Sequence, residues 1–117
     1  MKSIDIKGTD YIPVNERIKE FRRLHPTGQI LTKILANADG QVMFKASVLV
    51  EGVCVSTGHA YEKEGSSFIN KTSHIENAET SAIGRALGIY GVGIDASLAS
   101  AEEVGNAKVQ QKEDFNL

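Results

Sequence analysis

Three stretches of alternating side chains, joined by two tight-turn signals, fix most of what this chain can become. Between Gly28 and Glu64 the pattern repeats every two residues, the period of an extended strand whose successive side chains point to opposite faces. Ile30, Thr32, Ile34 and Ala36 alternate with Leu31, Lys33 and Leu35. Val42, Phe44, Ala46, Val48 and Val50 alternate with Met43, Lys45, Ser47 and Leu49. Val53, Val55, Thr57, His59 and Tyr61 alternate with Cys54, Ser56, Gly58, Ala60 and Glu62. Asp39-Gly40 and Glu51-Gly52 separate the three runs, and an acidic residue followed by glycine suits a two-residue hairpin turn. The spacing predicts a three-stranded antiparallel meander with room for a short extra strand at 66–69. One face is aliphatic and must be covered.

The cover is legible downstream. Ser73 and Glu76 have capping-box spacing, and Ile75, Ala78, Ala82, Ala86, Ile89 and Tyr90 then recur at helical steps. This predicts a helix over 74–90 with an alanine-rich face, and Gly84 and Gly88 beside it. Small residues let a helix lie close to a sheet, which offsets the roughly 1 kcal/mol each interior glycine costs. Gly91 and Gly93 mark the helix stop. An earlier helix is predicted with Asn15 as N-cap and Pro26 as stop. Val14, Ile18, Phe21 and Leu24 form its stripe, while Arg17, Lys19, Arg22 and Arg23 share the remaining surface with Glu16 and Glu20. Ile4 and Ile6 allow a short edge strand or a loose arm before it. A second capping box, Ser100 and Glu103, opens a short helix through about residue 112. The expected organisation is one α+β domain over residues 1–112, with a flexible acidic tail at 113–117.

Composition removes several classes of function. No run is apolar enough to span a bilayer, and the first ten residues lack the apolar stretch of a signal peptide. Cys54 is the only cysteine, which leaves no disulfide framework or thiolate zinc site; its mid-strand place predicts a core position. His25, His59 and His74 are scattered, so no metal site is expected, and no Walker loop or nucleophile elbow is present. Glu76 and Glu79 are explained by the helix dipole. No catalytic activity and no cofactor are expected, and the chain reads as cytoplasmic.

Binding of nucleic acid has more support. Single strands are held by aromatic platforms under the bases and a basic groove along the phosphates. Tyr61, His59 and Lys63 can share one strand face, and Lys33 and Lys45 come from neighbouring strands, turned from the aliphatic side. Phe68, Asn70, Lys71, Thr72 and His74 precede or open the long helix, where amides and a lysine suit a phosphate, and Arg85 follows along it. The simpler reading of that segment is a capped helix after a solvated loop, with Phe68 in the core. Residues 1–95 carry eleven basic and eleven acidic residues, so the acidic excess lies in the last twenty-two. A neutral body with one basic patch can bind strands while an acidic tail stays free.

Four segments carry a resemblance: TGHAYEKE at 57–64, SFINKTS at 67–73, ETSAIGRALG at 79–88 and GIDASLASAEEV at 93–104. Together they resemble the small single-stranded-DNA-binding proteins of tailed phages of Gram-positive bacteria. The resemblance implies a variant oligonucleotide-binding (OB) fold, sequence-tolerant binding of single-stranded DNA, and service in phage replication and recombination within the host cytoplasm. It leaves room for a recombinase or annealing protein as partner and for a homo-oligomer. The helix ending RALGxxG is also similar to Erf-type annealing proteins, which multimerise and pair complementary strands. A protein-interaction module using the Gly84–Gly88 face or the tail is a third alternative. A standard OB barrel needs two strands after its helix. Only residues 91–100 remain there, so closure would have to recruit the N-terminal segment or residues 66–69, or the sheet would stay partly open.

Overall fold

The computed structural model describes residues 1–6, 8–66 and 70–93. Strands β1 (Ile4–Ile6) and β2 (Thr9–Tyr11) form a small antiparallel hairpin, followed by helix α1 (Val14–Leu24). Strands β3 (Gln29–Ala38), β4 (Gln41–Val50) and β5 (Val53–Lys63) form an antiparallel sheet in the order β3-β4-β5, and helix α2 (Asn70–Tyr90) follows. The α+β class and the meander are those the alternation predicts. An OB-like closure is not seen among the described residues. The β1–β2 hairpin is a separate sheet, and α2 is the next described element after β5, so among the described residues no further strand pairs with the outer edge of β3 or β5. Residues 67–69 and everything after residue 93, including the second capping box and the acidic tail, lie outside the described residues.

Both hairpins turn where the dipeptides predict. Asp39 and Gly40 have φ of 55° and 72°, and Glu51 and Gly52 have 53° and 78°. Positive φ at both central positions matches the right-handed twist of the flanking strands. Two bulges then change which side chains share a face. Ile34 pairs with Phe44 and Ala36 with Met43, leaving Leu35 unpaired; Val48 pairs with Ser56 and Leu49 with Cys54, leaving Val55 unpaired. An extra residue shifts the parity of everything beyond it. Ala36 therefore leaves the face of Ile30, Thr32 and Ile34. Cys54 likewise turns out to be exposed rather than in the core.

Helix α1 begins two residues earlier than an Asn15 cap allows. Pro13 is the N-cap (φ −57°, ψ 149°), and its carbonyl accepts from the amides of Glu16 at 3.0 Å and Arg17 at 3.3 Å. The pyrrolidine ring sets the turn into the helix, so no side-chain cap is needed. Pro26 stops the helix as expected. Arg17 does not share the solvent face: it is buried, and its guanidinium donates to the carbonyls of Val92 and Gly93. Leu24, placed in the stripe by its spacing, is exposed at the helix end.

Helix α2 breaks at Ser73 (φ −135°, ψ 28°), so a turn from Asn70 precedes the helix expected from 74. Its far end is a Schellman stop. The Val92 amide donates to the Leu87 carbonyl at 2.9 Å and the Gly91 amide to that of Gly88 at 3.0 Å, with Gly91 at φ 117°. Ala78, Ala82 and Ala86 face the sheet and are fully buried, whereas Ile75 and Ile89 are exposed. The small residues allow a close approach: a Cβ on Gly58 of β5 would lie 2.5 Å from the Ala86 nitrogen and 2.7 Å from the Ala82 carbonyl oxygen. Ser56 Oγ donates to the Ala86 carbonyl at 2.8 Å in the same seam. Gly84 meets Val14 of α1, where an added Cβ would sit 2.6 Å from Val14 Cγ2. Gly84 is thus used within the chain and Gly88 is buried, so neither presents an exposed partner face. Helix α1 packs on α2 and sends Phe21 into the core with Val42, Phe44, Val48 and Leu87.

Two outcomes follow from this packing. Gly58→Ala should lower stability by about 2–3 kcal/mol, because the new methyl meets backbone that cannot step aside; urea denaturation should show a lower midpoint at unchanged slope. Cys54 should react with a thiol reagent in the native protein about as fast as after unfolding, since its strand turns it outward; strong protection would contradict the Val55 bulge.

Candidate nucleic-acid interface

The two faces of the meander have opposite character. Val42, Phe44, Ala46 and Val48 of β4, with Ser56, Gly58, Ala60 and Glu62 of β5, are buried toward α2. On the other face, strand register places side chains in rows. Lys33, Lys45 and His59 form one row, and Ala36, Met43 and Tyr61 the next. Leu31, Ser47 and Thr57 precede them, and Ala38, Gln41 and Lys63 follow. Rows on one face lie about 6.7 Å apart, and three strands span about 10 Å. These four rows contain Lys33, Lys45, His59 and Lys63 and no carboxylate.

Lys33 and Lys45 stand directly opposite each other on neighbouring strands, an arrangement that costs stability when nothing anionic lies between them. No ion pair among the described residues offsets it, since those present are Lys19–Glu16 and Arg23–Glu20 on α1. Lys33, His59 and Lys63 are exposed and Lys45 is half-buried. Beside this row Tyr61 is 50% and Met43 37% exposed. They line a shallow depression of about 240 Å³ together with Ala36, Ala38, Asp39 and Gln41. The arrangement offers a flat, partly aromatic floor with cations along one side and Lys63 on the other.

Five of the residues proposed from the sequence are therefore brought together: Lys33, Lys45, His59, Tyr61 and Lys63. The others are not. Asn70 is fully buried; its amide donates to Glu62 Oε2 at 2.5 Å and Ser66 Oγ at 3.0 Å, and its carbonyl accepts from Asn77 at 2.9 Å. Its chemistry goes into satisfying a buried carboxylate, so it is withdrawn as a surface contact. Lys71, His74 and Arg85 belong to α2, the layer packed on the opposite face. Phe68 lies outside the described residues, so the expected phosphate cradle before α2 has no described floor.

The basic cluster of α1 is also consumed internally. Arg17 is buried, Lys19 pairs with Glu16 at 3.3 Å, and Arg22 donates to the Gly28 carbonyl and stands 5.7 Å from the centre of the Phe21 ring. Arg23 hydrogen-bonds Glu20, which holds that carboxyl below its ordinary range and raises the guanidinium. Sequence reasoning missed Ala36, Asp39 and Gln41. The Asp39-Gly40 turn fixes Ala38 opposite Gln41, which makes the last row readable, but the Leu35 bulge that brings Ala36 beside Met43 carries no local signature.

No described helix is long and apolar enough to cross a membrane. No curated protein matches the chain by sequence. One family does: the pattern described as Slr1353 N-terminal dsRNA-binding domain-like matches residues 18–90, which take in most of α1, the whole meander and α2. The match is to a nucleic-acid-binding domain-like family, not to the phage family that the sequence resembles. With more than half of its length matched, the chain belongs to the Slr1353 N-terminal dsRNA-binding domain-like family.

Proposed function

We propose that the outer face of the β3-β4-β5 sheet binds single-stranded nucleic acid, and that the protein is a sequence-tolerant single-stranded-DNA-binding protein. The observation that carries this reading is the adjacency of two rows: Lys33–Lys45–His59 for phosphates and Ala36–Met43–Tyr61 for a base. The row spacing of about 6.7 Å is close to the reach between a base and its own backbone, so one nucleotide can use both rows. The resemblance at 57–64, 67–73, 79–88 and 93–104 supports a role for this activity in phage DNA replication and recombination in the host cytoplasm. The reading assigns no catalytic step, cofactor or metal to the chain.

Family membership favours a second reading, double-stranded RNA as ligand. Duplex RNA is read through phosphates and 2′-hydroxyls over roughly 16 base pairs, with its bases stacked away from the protein. An exposed tyrosine flanked by cations within a single sheet face suits an unstacked base better. Fluorescence anisotropy with an oligothymidine strand and an RNA duplex separates the two.

Tyr61→Ala should weaken single-strand binding about 5- to 150-fold, the loss of one stacking contact, while the protein stays folded. Tighter binding of duplex than of thymidine, with Tyr61→Ala silent, would replace the first reading by the second. Joint replacement of Lys33 and Lys45 by Gln should lower the salt slope of log affinity by about 1.4. It should also leave the melting temperature equal or higher, because the opposed charges are gone. Lys71→Gln serves as the control and should leave the slope unchanged.

A further inference from the structure

The depression beside Tyr61 is built unlike the cation row next to it. Its floor is apolar, from Ala36, Ala38, Met43 and Tyr61, and its polar residues are Asp39 and Gln41. Among the described residues, no lysine, arginine or histidine lines it. A phosphate would meet a carboxylate there and no cation, so the depression is suited to an uncharged group. At about 240 Å³ it is smaller than the range of drug-sized pockets and of the order needed for one planar ring system.

The carboxylate narrows which ring. An ionised Asp accepts hydrogen bonds and donates none. Guanine presents two adjacent donors on its pairing edge, the N1–H and the 2-amino group, which match the two oxygens of one carboxylate. Cytosine and adenine each present a single amino group beside an acceptor nitrogen. Thymine presents its N3–H between two carbonyls, which a carboxylate repels. Gln41 carries both an amide donor and an acceptor, so it can serve the adjoining carbonyl of guanine.

Asp39 also has a local reason to be where it is, since an Asp-Gly pair favours the positive φ of 55° and 72° found at this turn. That reason applies equally to asparagine, which forms the same turn. The turn therefore explains the backbone and leaves the charge of Asp39, at the edge of an apolar depression, unexplained. Resting on the single-strand reading above, we infer that the Asp39–Tyr61 depression is a base subsite that favours guanine within an otherwise sequence-tolerant path. The cation row holds the phosphate of the same nucleotide, and Lys63 stands on the far side of Tyr61 for the next.

The test uses the full chain and three labelled strands: oligothymidine, the same strand with guanines at isolated positions, and one with inosine in their place. The native protein should prefer the guanine-bearing strand to oligothymidine by about tenfold, with inosine between them because it lacks the 2-amino group. Asp39→Asn keeps the turn, so its melting temperature should match the native one. It should lose the guanine preference, read as the ratio of the two affinities, while oligothymidine affinity stays equal or rises because a negative charge beside the phosphate path is gone. Equal affinity of the native protein for all three strands, or a preference that survives Asp39→Asn, overturns the subsite and leaves the single-strand reading standing. Failure to bind any of the three strands overturns both.

Discussion

The approach of α2 to β5 at Gly58 is the contact on which the rest of the structure depends. Backbone meets backbone there: a single added methyl on Gly58 would intrude on the Ala86 nitrogen and the Ala82 carbonyl. Ala78, Ala82 and Ala86 make the seam possible, and Ser56 joins it by a hydrogen bond to the Ala86 carbonyl. Once the helix is that close, the β4 side chains Val42, Phe44 and Val48 are sealed from water, and α1 has a surface to pack on. Arg17 then ties α1 to the end of α2 through the Val92 and Gly93 carbonyls, beside the Schellman stop. A buried guanidinium is acceptable in such a place because the carbonyls just past the helix end accept hydrogen bonds from it.

Both described helices are committed to one side, and among the described residues nothing covers the other side of the sheet. A bare sheet face in a small domain would ordinarily carry small or polar side chains of mixed charge. This one carries Lys33 directly opposite Lys45, with His59 next in line, and an exposed Tyr61–Met43 floor one row away. Both features cost the free protein something, through charge repulsion and through exposed apolar area, and the ligand proposed above, a chain of phosphates bearing flat bases, would offset both. The α1 cations illustrate the contrast. They are as numerous, yet each is buried, ion-paired or hydrogen-bonded to a backbone carbonyl, so that helix adds less to the attraction of an anion. A net charge of −2 is therefore no obstacle to binding. What matters is that the four rows of the open face hold no acid.

Much of this was readable from the residues. The two turn dipeptides and the alternation gave the meander, its inward row on β4 and the outward placing of Lys45, His59, Tyr61 and Lys63. The alanine face of α2 announced a close partner, which proved to be Gly58. Four of the differences share a cause: Arg17, Cys54, Ala36 and Asn70 are each reassigned by a contact with another segment, whereas Asn15 loses the cap to its near neighbour Pro13. A proline ring capped α1, a helix end drew in Arg17, a buried Glu62 claimed Asn70, and bulges turned Ala36 and Cys54 to the other face.

The sequence by itself determined where the chain turns, which stretches extend or coil, and where α2 stops. Those features rest on φ/ψ preferences of adjacent residues: glycine at positive φ, proline at the helix boundaries, and apolar side chains at a period of two or of three to four. Only the tertiary structure decided which face is open and which side chains meet on it. Strand register and bulges are set by pairing between strands, and burial by the depth to which a helix can settle on them. Neither is a property of neighbouring residues. The cation row and the depression beside it exist because Lys33, Lys45 and His59, and likewise Ala36, Met43 and Tyr61, come from three strands whose registers agree.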